Sequence, residues 1–230
     1  DHLLEKQIER NHTLVALGGG VIGDLAGFAA AITLRGINLI QIPTTLLAQV
    51  DASIGGKTGI NHSMGKNLIG SFYQPKATIC DISTLTTLPK KEILAGLAEV
   101  VKYGVIYDPN FFKYLEDNAE VLRELSIKKH MDIWEHIVYT SARIKAEVVS
   151  KDERESNLRA ILNFGHTVGH AIEKVTEYKT FLHGEAVALG MVSASHIAKG
   201  LGLWTDKHHN RLMSLLNTLN FTIKIDSLSV

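Results

Sequence analysis

Cysteine is nearly absent from this chain, which has Cys80 alone among 230 residues. A single thiol excludes an intrachain disulfide and a thiolate zinc cluster, and it is typical of a reducing compartment. We therefore expect a cytoplasmic protein. A metal site in this chain would have to use imidazole and carboxylate groups, a donor set that suits zinc or cobalt. The 11 histidines make such a site feasible.

The chain also lacks an excess of charge of one sign and a long apolar run. Its 24 basic and 24 acidic residues give a formal net charge of zero, which disfavours nucleic acid as a partner. The longest apolar run, residues 25–34, is too short to cross a membrane. Residues 1–10 are charged and lack the apolar core of a signal peptide. We expect neither a nucleic-acid nor a membrane partner.

The secondary-structure pattern changes near residue 89. Before it, β-rich runs at 13–17, 38–42 and 77–80 alternate with a helical run at 21–34, which predicts an α/β fold with a partly parallel sheet. After it, the periodicity predicts helices at about 90–105, 109–117, 127–149, 160–175, 183–200 and 206–219. We therefore predict an α/β domain at 1–89 and an all-helical domain at 90–230, with a cleft between them.

A glycine turn joins the first predicted strand to the first predicted helix. Residues 18–23, Gly-Gly-Gly-Val-Ile-Gly, satisfy G-x-G-x-x-G. Backbone N–H groups and the positive end of the helix dipole at such a turn form a pyrophosphate site. The acidic residue that usually holds the ribose about 20 residues later is missing, because residues 38–41 contain no acid. Either the ribose is held from elsewhere or the turn is not a standard Rossmann turn. The alternative to a pyrophosphate site is a tight strand-to-helix turn without a ligand.

A second glycine-rich segment, Asp51 to Thr58, nearly matches the P-loop pattern, but Asp51 replaces its first glycine. An aspartate there would repel a triphosphate, and residues 44–50 resemble a helix where a P-loop needs a strand. A glycine-rich loop with Lys57 can still bind a monophosphate. Other polar groups close to it in sequence or at the end of the first helix are Lys66, Asn67 and Arg35. Each charge taken alone is equally consistent with a solvated loop.

Histidines cluster in the helical half. His166 and His170 are four residues apart on one predicted helical face, and His183 opens the next helix. Two histidines one turn apart can chelate a metal, so periodicity nominates His166 and His170. It does not exclude His183 as a replacement for either. The alternative is a set of core histidines without a metal.

Another apolar helix carries Glu99 and Lys102, three residues apart. A buried carboxylate needs a cation or a metal as its partner, and an ordinary intrahelical ion pair is the simpler interpretation. Further polar residues precede or begin the histidine segment, namely Lys145, Glu155, Arg159 and Asn163. Each of them would count as a surface group if no site were nearby.

Taken together, these motifs resemble the 3-dehydroquinate synthase family from about residue 14 to residue 203. The segments that carry the resemblance are 18–24, 43–61, 65–67, 97–102, 162–170 and 183–185. Several long motifs in the same order are more specific than any one of them. The resemblance implies a Rossmann-like N-terminal lobe that binds NAD, an all-helical C-terminal lobe that holds a divalent metal, and an active site between them.

The resemblance also implies roles for individual residues. The implied ligands of Zn²⁺ or Co²⁺ are Glu99, His166 and His183, rather than His170. The implied NAD contacts are Gly18, Gly19, Gly20, Asp24, Thr44, Thr45, Lys66 and Thr87. The implied catalytic residues are Lys102, Lys145, Glu155, Asn163 and His170. The implied substrate contacts are Arg35, Asp51, Lys57, Asn67 and Arg159. Because the family's counterpart of Arg35 reaches the site of a second subunit, a homodimer is implied.

The implied enzyme is a carbon–oxygen lyase of the shikimate pathway, which leads to aromatic amino acids. It cyclises 3-deoxy-D-arabino-heptulosonate 7-phosphate to 3-dehydroquinate with release of phosphate, through transient NAD-dependent oxidation, elimination, reduction and aldol closure. The alternatives are a sister sugar-phosphate cyclase, a metal-dependent NAD polyol dehydrogenase and a metal-binding fragment without activity. Lys57, Asn67 and Arg159 argue against a polyol, since an uncharged substrate needs no phosphate pocket.

Members of this family are longer than this chain. We therefore expect a missing N-terminal part, which would carry the acid for the adenosine ribose, and a shorter missing C-terminal part with a lysine that contacts phosphate.

Overall fold

The computed structural model describes residues 1–177 and 179–223, except for the side chain of Lys66. Its strands are β1 Thr13–Gly18, β2 Asn38–Pro43, β3 Lys57–His62, β4 Gly65–Phe72 and β5 Ala77–Thr78. Its helices are α1 His2–Glu5, α2 Gly20–Ile32, α3 Lys90–Ile106, α4 Pro109–Asp117, α5 Ala119–Arg123, α6 Met131–Lys151, α7 His166–Val175, α8 His183–Gly200 and α9 Asp206–Thr218. Shorter segments are the 3₁₀ turns Thr33–Arg35, Ile82–Thr87 and Leu158–Asn163 and the π-helical turn Ala48–Ala52.

A small parallel sheet forms in the first part of the chain, in the order β1-β2-β5. All six residues of β1 pair in register with β2, and α2 provides the crossover between these two strands. Every second residue of β2, such as Leu39, is buried, as expected for a strand with one face toward the core. The parallel α/β part predicted from the sequence is therefore confirmed.

An antiparallel hairpin of β3 and β4 follows the π-helical turn and was not predicted. Glycines within these strands lower the intrinsic strand propensity and hide the alternation of apolar and polar residues. Hydrogen-bonded pairing between the two strands stabilises the extended conformation that the local sequence does not favour. As a result, Lys57 begins a strand instead of lying in a phosphate-binding loop.

The remainder of the described chain is helical around a large apolar core. Residues of α3, α6 and α8 form its centre, including Leu97, Trp134, Ile137 and Met191. Among the described helices, none is both long and apolar enough to span a bilayer. The predicted order, a parallel α/β part followed by helices, is confirmed. The division at residue 89 into two domains stays a prediction, since α3 and α6 both pack on the π-helical turn.

One predicted helix, 160–175, is broken in the structure. Its first part is the 3₁₀ turn Leu158–Asn163, and α7 begins only at His166. Gly165 separates the two with φ +80°, a left-handed conformation that favours glycine. This break determines the direction in which α7 leaves the turn. Similarly, α6 starts at Met131 and not at 127.

Candidate active site

A cavity of about 310 Å³ lies where the strand-containing part meets the helices. Most of the predicted catalytic, substrate and metal residues line it: Asp51, Lys57, Asn67, Lys102, Lys145, Glu155, Arg159, Asn163, His166, His170 and His183. Asp24, predicted as an NAD contact, lines it as well. The fold therefore gathers polar side chains from distant parts of the sequence into one concave site.

Two glycines allow three helices to approach closely beside this cavity. A Cβ atom on Gly184 would lie 1.9 Å from the carbonyl oxygen of Ala95 in α3. A Cβ atom on Gly190 would lie 1.8 Å from the carbonyl oxygen of Gly165. Because any larger residue would push the backbones apart, glycine at these positions lets α8 pack directly against α3 and the start of α7.

Glu99, His166 and His183 meet at this junction. Glu99 Oε1 lies 3.3 Å from His166 Nε2 and 3.6 Å from His183 Nε2. Glu99 is fully buried, and among the described residues neither carboxylate oxygen receives a well-directed hydrogen bond. Buried lone pairs facing two imidazole nitrogens fit a divalent cation, and two histidines with one carboxylate are a known zinc donor set. The set leaves room for a substrate oxygen as a further ligand.

Lys102 forms a buried ion pair with Glu99 on the same face of α3. Burial alone would raise the pKa of Glu99, but the ammonium of Lys102 outweighs it and holds this pKa well below its usual range. Glu99 is therefore a carboxylate at neutral pH, as a metal ligand must be.

A buried carboxylate that the sequence reasoning missed, Glu173, lies behind the histidines. Its Oε1 atom is 3.4 Å from His183 Nδ1, and the residue is 3% exposed. Burial disfavours the charged imidazolium of His183, but Glu173 and Glu99 outweigh it and raise its pKa to about 9. Glu173, His170 and His183 also form a second group with ligand atoms close together. The spacing of Glu173 from His166, seven residues on one helical face, could have revealed it.

Asp51 is held at the floor of the cavity by the π-helical turn, a rare element that is frequent at functional sites. Lys145 Nζ donates to the main-chain oxygen and to Oδ1 of Asp51, both at 2.7 Å, and the Tyr103 hydroxyl donates to the same Oδ1 at 2.7 Å. Burial would raise the pKa of Asp51, but the Lys145 ammonium lowers it below its ordinary value. Burial also lowers the pKa of Lys145 despite this pair.

Two further cations, Lys57 and Arg159, line the cavity. Lys57 pairs with Glu155, whose other oxygen accepts a hydrogen bond from Asn163 at 2.7 Å. The guanidinium of Arg159, 2% exposed, donates to the main-chain oxygens of Gly55 and Glu153. Neighbouring elements thus fix both cations at the edge of the cavity.

The turn that presents Glu155 and Arg159 depends on Asp152, which the sequence reasoning also missed. Asp152 accepts hydrogen bonds from the backbone N–H groups of Ser156, Asn157 and Arg159 and from the Ser156 hydroxyl. These bonds hold its pKa well below the ordinary value. Glu155 itself has φ 59°, a left-handed conformation that is uncommon outside glycine. An acidic residue followed by Ser and Asn is the signal that could have indicated this turn.

Asp24 reaches the cavity from α2. Its Oδ2 atom accepts a hydrogen bond from Asn67 Nδ2 at 3.2 Å. Burial raises its pKa to about 6, although Asn67 and Lys145 act in the opposite direction.

Five other predicted NAD contacts lie together at the glycine turn, namely Gly18, Gly19, Gly20, Thr44 and Thr45. Gly18, Gly19 and Gly20 form the turn at the start of α2, and the Thr44 N–H donates to Gly18 O at 2.9 Å. A Cβ atom on Gly19 would lie 3.1 Å from Thr45 Cγ2, so Thr45 lies directly against the turn. Such a turn suits a pyrophosphate, because it places glycine, threonine hydroxyls and a helix N-terminus together.

Two predicted residues, Thr87 and Arg35, do not line the cavity. Thr87 ends a 3₁₀ turn, and the buried Gln49 ties that turn to the end of β2 through bonds to Thr84 Oγ1 and Pro43 O. Arg35 is an exposed residue in a surface turn and does not line the cavity. Lys66 belongs to β4, but its side chain lies outside the described residues. The roles assigned to individual site residues stay predictions.

Solved structures with the same fold include two sugar-phosphate cyclases. The 2-epi-5-epi-valiolone synthase of Streptomyces hygroscopicus subsp. jinggangensis 5008, solved with NAD⁺ and Zn²⁺, matches with a TM-score of 0.89 and 29% identity over 98% of this chain and 62% of that one. A 2-deoxy-scyllo-inosose synthase, solved with carbaglucose-6-phosphate, NAD⁺ and Co²⁺, matches with a TM-score of 0.85 and 33% identity over 100% of this chain and 61% of that one. A probable glycerol dehydrogenase from Sinorhizobium meliloti 1021, at 13% identity and a TM-score of 0.69, covers 97% of this chain and 65% of its own and shares the fold alone.

Sequence relatives are closer still. The 3-dehydroquinate synthase of Geobacter metallireducens is 55% identical over 98% of this chain and 61% of its own length, and that of a Picosynechococcus species is 56% identical over 94% and 59%. The chain therefore spans about three fifths of the length of these curated relatives. Two family models, 3-dehydroquinate synthase N-terminal and 3-dehydroquinate synthase C-terminal, match residues 1–95 and 96–230. This coverage confirms the resemblance found in the motifs, and the chain belongs to the 3-dehydroquinate synthase family.

Proposed function

We propose that the protein is a 3-dehydroquinate synthase, a carbon–oxygen lyase of the shikimate pathway. It would cyclise 3-deoxy-D-arabino-heptulosonate 7-phosphate to 3-dehydroquinate and release phosphate. The observation that carries the proposal is the meeting of the buried Glu99 with His166 and His183, two residues in the wall of a cavity that also contains fixed cations. Identity of 55% to a curated 3-dehydroquinate synthase supports it.

Glu99, His166 and His183 would hold the divalent metal, Zn²⁺ or Co²⁺. A bound divalent ion polarises a substrate hydroxyl and so favours its deprotonation. The ion pair with Lys102 keeps Glu99 ionised and able to bind the metal. Lys102 itself lines the cavity and offers a cationic group beside the reacting oxygen.

NAD would bind at the glycine turn. The residues proposed to hold it are Gly18, Gly19, Gly20, Asp24, Thr44, Thr45, Lys66 and Thr87. When bound there, NAD would supply a reversible hydride acceptor, so none would be consumed overall. The role of the chain is to orient the cofactor at the N-terminus of α2, where backbone N–H groups and the helix dipole favour its pyrophosphate.

The polar walls would bind and orient the substrate. Lys57, Asn67 and Arg159 suit its anionic groups, because cationic and amide donors bind phosphate and carboxylate strongly. The Asp51–Lys145 pair presents an acceptor and a donor for hydroxyl groups at fixed positions. The substrate-facing surface is thereby built before the substrate arrives.

In this proposal, His170 and Glu155 transfer protons to and from the substrate. Both line the same cavity as the proposed metal ligands, and Glu155 is oriented by Lys57 and Asn163. Glu155 is ionised at neutral pH, since burial raises its pKa less than Lys57 and Asn163 lower it. It can therefore accept a proton from the substrate.

We also propose a homodimer, in which the exposed Arg35 would reach the substrate site of the second subunit. The position of Arg35 on a surface turn, away from the cavity of its own subunit, supports this proposal.

The test is a phosphate-release assay on the purified protein with the heptulosonate 7-phosphate, NAD and Zn²⁺. We expect phosphate release without net accumulation of NADH. We expect His166→Ala to lower kcat at least about 100-fold through loss of the metal, and Lys57→Ala to raise KM for the sugar phosphate. Turnover only with other seven-carbon or six-carbon sugar phosphates would assign a sister cyclase. Sustained NADH formation from a polyol without phosphate release would contradict the lyase.

A further inference from the structure

We infer that Glu173 is a positioning residue for the metal site: it accepts the Nδ1–H of His183 and thereby turns the Nε2 atom of His183 toward Glu99. The inference rests on the metal site proposed above. It assigns a function to a buried acid that belongs to none of the motifs from which the family was identified.

The contact geometry carries the first step. Glu173 Oε1 lies 3.4 Å from His183 Nδ1, while the other ring nitrogen, Nε2, lies 3.6 Å from Glu99 Oε1. The imidazole therefore lies between two carboxylates, each next to a different nitrogen. A neutral imidazole has one N–H and one lone pair, so a hydrogen donated at Nδ1 leaves the lone pair at Nε2 for a metal.

The position of Glu173 in the fold carries the second step. Glu173 and His166 are two turns apart on α7, so one helix presents a proposed ligand and the group that orients another ligand. His183 begins α8, and α7 and α8 pack against each other. At 3% exposure, Glu173 is shielded from water, which strengthens its interaction with the ring.

A carboxylate behind a metal-ligating histidine has a known physical effect. It fixes the tautomer and orientation of the ring and raises its basicity, and its loss typically weakens metal affinity 10- to 100-fold. Glu173 has the chemistry and the location for this role.

The second group of potential ligands, His170, Glu173 and His183, gives a competing arrangement in which Glu173 binds the metal directly. The two arrangements differ in their dependence on Glu99. If Glu173 only positions His183, Glu99 is indispensable for the metal and Glu173 tunes its affinity. If Glu173 is a ligand in place of Glu99, Glu173 is indispensable for metal binding and Glu99 is not.

The experiment measures Zn²⁺ affinity of the purified protein by competition with a chromogenic chelator, without any assay of activity. The variants are Glu173→Gln, Glu173→Ala and Glu99→Gln, with Glu177→Gln as the matched control. Glu177 is an exposed acid just beyond the same helix that pairs with Lys179. We expect about tenfold weaker binding in Glu173→Gln, up to about 100-fold weaker binding in Glu173→Ala, and wild-type binding in the control.

The visible spectrum of the Co²⁺-substituted protein provides a second measurement. At saturating Co²⁺ we expect the ligand-field bands of Glu173→Gln to shift, because the His183 ring is no longer held in one orientation. Thermal unfolding of the metal-free proteins separates this effect from a general loss of structure.

The outcomes distinguish the inference from the proposed function. Wild-type Zn²⁺ affinity in both Glu173 variants, with binding lost in Glu99→Gln, overturns the inference and leaves the metal site intact. Wild-type affinity in Glu99→Gln, with binding lost in Glu173→Ala, overturns the proposed ligand set and assigns the metal to the second group.

Discussion

Asp24 is a charged residue at a position where the surrounding protein disfavours its charge. Burial against the cavity wall raises its pKa to about 6, and the hydrogen bond from Asn67 only partly compensates. Since the ionised form is disfavoured in the folded state, the contribution of Asp24 to folding stability is fully present below the unfolded pKa of 3.8 and is lost as the pH rises through about 6. At neutral pH the charge of Asp24 therefore destabilises the fold.

We predict that Asp24→Asn raises the free energy of unfolding at neutral pH. The pKa shift corresponds to at most about 3 kcal/mol, and solvent screening of this half-exposed group reduces the expected gain to about 1 kcal/mol. Urea unfolding at pH 8 and pH 5 checks this, with a smaller gain expected at pH 5. Asp117→Asn, at an exposed surface ion pair, is the control. A variant less stable than wild type at pH 8 would refute the prediction.

Single residues also mark the limit of the sequence reasoning. Helical periodicity related His166 to His170, because both lie on one helix, and could not choose between His170 and His183. That choice depends on Glu99, which is on another helix. From the sequence, only the family resemblance grouped Glu99, His166 and His183 as the metal ligands.

At the level of elements, the proposed metal site depends on the backbone-to-backbone packing of α8 on α3. We predict that Gly184→Ala costs about 3 kcal/mol or more, since a Cβ atom there would lie 1.9 Å from the Ala95 carbonyl oxygen. It should also weaken Zn²⁺ binding, because His183 precedes Gly184 and moves with α8. Urea unfolding and chelator competition measure the two effects.

Gly200→Ala is the matched control on the same helix. Among the described residues, no atom outside the local backbone lies within 4 Å of the Cβ that it would add, so we expect unchanged Zn²⁺ affinity and a stability equal to wild type or up to about 1 kcal/mol higher. Equal stability losses in the two variants would show that close packing at Gly184 is not the cause.

Strongly periodic elements could be predicted from the sequence, whereas elements that depend on distant partners could not. The strands at 13–18 and 38–43 and the helices α3, α4, α6, α8 and α9 follow from local patterns of apolar residues, whereas the short helix α5 was not predicted. The β3–β4 hairpin and the break at Gly165 follow from cross-strand pairing and from packing against α8, neither of which is visible in a short window.

At the level of the whole molecule, metal binding and stability should be linked. If Glu99, His166 and His183 bind Zn²⁺ only in the folded state, free Zn²⁺ at 100 times its Kd adds about 2.7 kcal/mol to the free energy of unfolding. For a chain of this length we expect a rise in Tm of about 5 to 10 °C. Differential scanning calorimetry with and without Zn²⁺ measures it.

The same experiment with His166→Ala serves as its control. We expect Zn²⁺ to leave the Tm of that variant unchanged and a chelator to lower only the wild-type Tm. An equal Zn²⁺ effect on both proteins would mean that the metal stabilises the fold from another place.

The close helix packing at Gly184 and Gly190 has an evolutionary consequence. Backbone contacts of Gly184 with Ala95 and of Gly190 with Gly165 set the spacing of the helices, and none of these four residues lines the cavity. Side chains that face the cavity can therefore change without altering these backbone contacts. Two cyclases named for different products share this architecture with the chain at only 29 and 33% identity.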